Sequence, residues 1–342
     1  MAPLHHACNS QKAPVVAVLL EHGADVNLPA KGVCPLHIAF NPRDKKIIRM
    51  LLEYGADANV FDTNGMAPLH RACKLRNAAV AAIVAVLLEH GANVNLPTKN
   101  SGTRPLHIAS SNSKDEKIVR MLLEHGADAS AFDGDGMASL HHACNLGNAA
   151  IIAVLLEHGA DVNLPTQKGV RPIHIAFSKG EEIIRLLLKY GADANAFDSN
   201  GMAPIHHACD SQNAAIVAVL LEHGVDVNFP TKKGIRPLHI ASSKCEEIVH
   251  ILLEHGADTN AFDGDGMASL HHACDSQNAA IVAVLLEHGA DVNANVDVLG
   301  SVGSTPLHVA LCYYDRRRAR GHFEYSVIRL LLQGGADVNA YK

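Results

Sequence analysis

A short motif, Leu/Ile-His-x-Ala, returns ten times along the 342-residue chain, and nothing else in the sequence restricts the fold so strongly. Its histidines are His5, His37, His70, His107, His141, His174, His206, His239, His271 and His308, so successive steps lie between 32 and 37 residues. Each motif is followed by an apolar block ending in Leu-Leu-x-x-Gly, then by Ala-Asp-Val/Ala-Asn or a close variant. A chain of this length ordinarily divides into two or three domains, but a fixed period of this size instead counts stacked units. Catalysis needs a unique constellation in one place, and residues that recur in every unit are scaffold.

One unit can be read residue by residue. In the run from Gly201 to Cys209, Pro204 stands where a first helical turn tolerates a missing N–H. Ile205, Ala208 and Cys209 follow at i, i+3 and i+4, which gives that helix one apolar face. Ser211 to Asn213 break the pattern, and a second helix is predicted over Ala214 to His223. Gly224 can take the left-handed conformation that ends it. Asp226 to Gly234, with Pro230 and Gly234, reads as an extended turn. The second helix is apolar nearly all round, so a single unit cannot cover it and stacking must.

Helix, turn, helix and β-like finger, repeated in phase with Pro-Leu-His-x-Ala and Gly-Ala-Asp, resemble the ankyrin-repeat family over the whole of residues 1–342. The resemblance implies an all-α repeat solenoid of stacked helix-turn-helix units with β-hairpin-like fingers. A single array is expected, with units near 1–29, 30–61, 62–98, 99–132, 133–165, 166–198, 199–230, 231–263, 264–296 and 297–342. Units carrying His-His-Ala-Cys or Arg-Ala-Cys alternate with units carrying His-Ile-Ala or His-Val-Ala, so the true period is about 65 residues. Residues 201–228 and 266–293 differ only at 204/269, 205/270 and 225/290, as recent tandem duplication would leave them. Family members usually carry a capping Thr before Pro-Leu-His; here only Thr305 does, and Ala203 is one of nine replacements. Neither end shows a clearly polar capping unit, so the chain is expected to be either a piece of a longer protein or a complete one with frayed ends.

Composition narrows the function. No run approaches the roughly 18–20 apolar residues that span a bilayer. The apolar block at Val15 to Leu20 recurs at Ile151, Ile216 and Ile281 and so belongs to the fold, not to targeting. Eight Cys without a C-x-x-C pair fit neither a disulfide framework nor a zinc ribbon. With no Trp and 4% aromatic residues, the usual anchors of a deep ligand pocket are missing. His5 or His6 with Cys8 has metal-ligand spacing, but the recurrent Cys fall where the family places a small buried Ala. Asp133-Gly-Asp135-Gly and Asp263-Gly-Asp265-Gly suggest a calcium loop. Met137 and Cys144, or Met267 and Cys274, stand where it needs oxygen ligands. No cofactor, no metal, no small-molecule substrate and no enzymatic activity are expected.

The candidate partner-binding residues fall into three groups. His6, Arg71, His142, His207 and His272 occupy a position that, by the resemblance, borders the concave groove. The fingers alternate in sign: Lys31, Lys99 with Arg104, Lys168 with Arg171, and Lys232, Lys233 with Arg236 against Asp62, Asp133 with Asp135, Asp198, and Asp263 with Asp265. Neighbouring fingers either neutralise one another as exposed pairs or form a charge-striped binding edge, which favours specificity over raw affinity. In the last unit Tyr313, Tyr314, Arg316, Arg317 and Arg318 combine residue types enriched in interface hot spots. The resemblance also makes Asn27, Asn95, Asn163, Asn228 and Asn293 candidates for asparagine hydroxylation; the plainer reading gives them to the turn after the second helix.

These observations predict a non-catalytic scaffold that binds another protein along its groove and finger tips. A second reading makes the chain the recognition arm of a larger signalling protein or ligase adaptor. A third gives the 316–320 arginines a nuclear or nucleic-acid role, which the net charge of −6 does not favour. Cytoplasmic residence is expected, with the nucleus as a second compartment and no membrane insertion.

Overall fold

The computed structural model describes residues 2–40, 45–75, 80–112, 116–298, 301–317 and 325–340, without the side chains at 297–298, 301–302 and 313–317. The chain forms two compact units, Met1–Gly191 and Ala192–Lys342. Each is a stack of helix pairs.

In the first unit the pairs begin with Pro3–Asn9 and Ala13–Glu21, then Pro35–Ile38 and Lys45–Glu53, then Pro68–Lys74 and Val80–Glu89. They continue with Pro105–Asn112 and Glu116–Glu124, Ser139–Leu146 and Ala149–Glu157, and Pro172–Ala176 and Glu181–Lys189. The second unit pairs Pro204–Asp210 with Ala214–Glu222, Pro237–Ser242 with Glu246–Glu254, Ser269–Ser276 with Ala279–Glu287, and Pro306–Arg317 with Ser326–Gln333. Asn148, Asn213 and Asn278 cap second helices through their side-chain oxygens, at 3.2, 3.1 and 3.2 Å from the N–H of Ile151, Ile216 and Ile281. Gly224 closes its helix at φ +78°, as the sequence requires.

Within each unit, first helices pack on first helices and second on second. What a neighbour contributes is visible by comparison: Ile151, Ile216 and Ile281 are fully buried, whereas Val15, their counterpart in the first pair, is 45% exposed. Full burial of such a side chain is worth about 1.5–3 kcal/mol, so the second helices are held chiefly by the adjacent repeat.

A polar ladder joins the same steps. Asn27 donates to the Gly55 carbonyl at 2.9 Å and accepts from the Asp57 N–H at 2.8 Å. Asn59, Asn95, Asn228, Asn260 and Asn293 repeat this two-way contact with the next unit, and Asn163 donates to the Gly191 carbonyl. At one step the asparagine is replaced: Ser130 turns its hydroxyl back to Asp128 at 2.7 Å. The five asparagines singled out as modification candidates are therefore members of an inter-repeat brace as well as turn residues.

The fingers are mostly turns. Isolated bridges pair Ala30 with Val33 and Phe262 with Ala268, and among the described residues only the enlarged finger before the last helix pair has a two-stranded ladder, β1 (Val296–Val298) antiparallel to β2 (Ser301–Ser304).

Candidate functional site

Two chemistries shape the fingers. In one, an aspartate folds back on its own loop: Asp62 Oδ1 accepts from the N–H of Asn64 and Met66, each at 2.9 Å. Asp133, Asp198 and Asp263 do the same with the residues two and four ahead. In the other, Thr98, Thr166 and Thr231 accept from the loop through Oγ1. Both pin the finger by side-chain oxygens, which is how Asx and Ser/Thr turns work.

The second oxygen of each aspartate reaches the first helix that follows its loop. His142 Nε2 lies 2.7 Å from Asp133 Oδ2, His207 3.0 Å from Asp198 Oδ2 and His272 2.8 Å from Asp263 Oδ2, while Arg71 Nε stands 3.6 Å from Asp62 Oδ2. Burial alone would raise the pKa of Asp133, Asp198 and Asp263, but the backbone N–H groups of the loop and the histidine hydrogen bond outweigh it and hold all three below the usual aspartate value. This corrects two expectations. Asp62, Asp133, Asp198 and Asp263 are engaged with their own loops and the helix that follows instead of answering the neighbouring basic fingers. Asp198, expected on the binding edge, is only 8% exposed and faces inward. Sequence shows the sign of a charge but not its direction.

The groove-position residues are placed unevenly. His6 is exposed, whereas His142, His207 and His272 are half-buried against their aspartates. Rings from adjacent repeats meet there, His107 with His142 at 5.8 Å and His239 with His272 at 5.6 Å between centroids. Arg71 also donates to the His37 carbonyl at 2.9 Å, so its guanidinium bridges two repeats.

The basic fingers divide into displayed and structural cations. Lys99, Lys168, Lys232 and Lys233 are exposed, as are Asp135 and Asp265 at the acidic tips. Lys99 lies over the Phe61 ring at 4.7 Å and Lys232 over Phe197 at 5.6 Å, contacts that hold the ammonium groups along the finger row. Arg104, by contrast, donates to the carbonyls of Asn95 and Phe132, each at 3.2 Å. Arg171 and Arg236 are half-buried. The side chains of Tyr313, Tyr314, Arg316 and Arg317, and all of Arg318, lie outside the described residues.

The motif histidines are internal fasteners. His206 Nδ1 accepts from the Ala203 N–H at 3.1 Å, and its Nε2 donates to the Phe229 carbonyl at 2.9 Å. His70, His107, His141, His239 and His271 repeat the arrangement. Burial lowers their pKa, that of His206 to about 4. The Glu-His-Gly histidines, such as His158, place Nδ1 on the carbonyl four residues back at 2.8 Å, finishing the second helix.

Cys8, Cys73, Cys144 and Cys274 are buried, with thiols pushed up to about 12 by desolvation. That disfavours the thiolate a metal needs, and His5 is spent on the Val33 carbonyl at 3.1 Å. Among the described residues no three His, Cys, Asp or Glu converge as metal ligands. The Asp-Gly-Asp-Gly runs have a packing explanation: a Cβ at Gly134 would sit 2.6 Å from the Ser101 oxygen, and the Gly134 N–H donates to that oxygen at 2.7 Å.

Beneath the fingers of residues 62–112 the surface is hollowed. Two cavities of about 520 and 680 Å³ share Asn64, Met66 and Lys74 in their walls. Lys74 was missed by sequence reasoning, although aligning it with Asn9, Asn145, Asp210 and Asp275 would have marked it as the one cation at that position.

Stacked helix pairs with braced fingers define a repeat protein, and comparison with known families names the repeat. The family described as "Ankyrin repeats (3 copies)" matches at residues 1–62, 56–133, 129–198, 196–263 and 261–342. The chain belongs to the ankyrin-repeat family. Among Homo sapiens proteins it is similar to Ankyrin repeat and SOCS box protein 18, at 36% identity over 85 residues, 25% of this chain and 17% of that protein. It is 40% identical to SMC5-SMC6 complex localization factor protein 1 over 84 residues, 24% of this chain and 8% of that protein. It is likewise 40% identical to BCL-6 corepressor-like protein 1 over 79 residues, 23% of this chain and 4% of that protein. The matched stretches span at most about a sixth of those proteins. Ankyrin repeats are protein–protein interaction modules, and the family is generally non-catalytic.

Proposed function

We propose that the chain is a non-catalytic scaffold that holds a partner protein along its finger tips and the groove beneath them. The observation that carries this reading is the division of labour among its charges. The buried Asp and His braces are turned inward, while Lys99, Asp135, Lys168, Lys232, Lys233 and Asp265 stand in solvent on fingers pinned by Asp or Thr oxygens. Pre-set fingers lower the ordering cost of association, and charges of alternating sign set the register of a partner. The cytoplasm is its expected compartment, with the nucleus as a second.

The test is affinity capture from cells of the source organism, read by quantitative mass spectrometry. A variant carrying Lys99→Glu, Lys168→Glu, Lys232→Glu and Lys233→Glu is expected to lose the proteins that wild type retains. Undiminished capture defeats the finger-edge reading. Arg104 is left intact because its guanidinium joins two repeats.

A second reading makes this array the recognition arm of a larger protein; it is supported by the small share of the SOCS-box and corepressor-like relatives that the match covers, 17% and 4%. An immunoblot of the endogenous protein decides it: a band near 36.4 kDa supports a free-standing scaffold, and a much larger one supports the arm.

A further inference from the structure

The groove over residues 62–112 differs in charge from its counterparts elsewhere in the chain. Lys74, at the end of helix Pro68–Lys74, is exposed, and it occupies the position of Asn9, Asn145, Asp210 and Asp275 in the other repeats of its type. Where the second unit has Asp210, the acid is ion-paired with Lys244 of the following repeat. The counterpart of Lys244 is Asn112, whose amide donates to the Lys74 carbonyl at 2.8 Å and leaves the ammonium without an acid from that position.

The acid nearest by sequence, Asp62, is buried, with its oxygens given to its own loop and to Arg71. Farther along the row, Lys99 adds a second displayed cation over Phe61. The trough beside Lys74 is lined by amides and hydroxyls, among them Asn64, Asn100 and Ser101, with Met66 and Ile108 as apolar footing. Asn100 donates to the Asn64 carbonyl at 3.1 Å, tying adjacent fingers into one wall.

We propose that this trough takes an extended, carboxylate-bearing segment of a partner protein, with Lys74 as its charge anchor. The proposal rests on the scaffold reading above and assigns it a place and a partner chemistry. Amides and hydroxyls suit the alternating donors and acceptors of an extended backbone, Met and Ile accept small apolar side chains, and Lys74 selects Asp or Glu. Each of the two cavities that Lys74 lines, about 520 and 680 Å³, falls within the roughly 300–1,000 Å³ of ligand sites.

The experiment is selection of random 12-residue peptides displayed on phage against the full chain, followed by titration of fluorescein-labelled winners. Winners rich in Asp and Glu are expected, binding at least about tenfold more weakly to Lys74→Asp and more weakly again as salt rises. Lys46→Glu and Lys189→Glu, at exposed positions of second helices, are expected to leave them unaffected. Acidic winners that bind Lys74→Asp as well as wild type overturn the proposal, as do winners without acidic residues or no winners at all. Winners lost on Lys168→Glu or Lys232→Glu, but not on Lys74→Asp, overturn it while sustaining the scaffold reading. Lys74 is exposed, and matching circular-dichroism melts of variant and wild type separate lost contact from lost fold.

Discussion

Single positions show how far one side chain's chemistry can be read from its letter. The motif histidine was legible as repeated scaffold, and in the structure His206 makes two backbone hydrogen bonds. Its cap was legible only as a loss. Ala203 lacks the hydroxyl that Thr305 directs at His308 Nδ1 from 2.9 Å. Ala203→Thr is therefore expected to raise the urea midpoint by about 0.5–1 kcal/mol in stability, the lower part of the usual cap range, because the histidine already serves the backbone N–H there. An unchanged or lower midpoint counts against it. Ser269 is a second local defect, since its buried hydroxyl has no partner where the near-identical repeat has Pro204. Ser269→Pro removes that orphan and fixes φ at the first helical position, so a gain of about 1 kcal/mol is expected in the same denaturation series. What the letters hid was direction. Asp133 and Asp135 look alike in sequence, yet one braces a loop from inside and the other faces solvent, because Oδ1 of Asp133 captures the N–H groups of Asp135 and Met137.

Helices and fingers were the most readable elements. Proline starts, asparagine caps and left-handed glycines each leave a residue signature, and the break predicted at Ser211 to Asn213 separates Pro204–Asp210 from Ala214–Glu222. Less readable was the asparagine ladder, since its partners lie about 30 residues ahead and backbone atoms carry no letter. Asn228 bonds both the Gly256 carbonyl and the Asp258 N–H, at 3.2 and 2.8 Å. Asn228→Ala leaves both groups exposed enough to find water, so a loss of about 1–2 kcal/mol is expected by chemical denaturation, with faster amide exchange at Asp258. Exchange at Asp258 equal to wild type would show that the brace is ornamental. The trough at 62–112 was not legible either, because it depends on which cations their neighbours leave displayed.

At the scale of the molecule, repetition turns small terms into large ones. His37, His70, His107, His141, His206, His239 and His271 all have pKa values lowered by burial. In the unfolded chain they bind protons near pH 6.5, while His206 in the fold does so only at about 4. The unfolded state thus holds more protons between those values, and stability, fully present above pH 6.5, falls as pH drops through this window. For His206 alone the difference approaches about 3 kcal/mol. A urea midpoint that declines steadily from pH 7 to 4.5 is expected; a flat one would mean the rings are not held neutral. Repetition has another consequence in the near-identity of 201–228 and 266–293. Excising 201–265 joins Asn200 to Gly266 and keeps 266–293, which differs from 201–228 at three positions, beside the 294–304 finger it already precedes, so the shortened chain should fold, with a denaturant slope reduced by about a fifth. Failure to fold would show that the two copies are not equivalent. Recombination between such copies can lengthen or shorten the gene by whole cassettes, and every seam it creates is one the protein already contains.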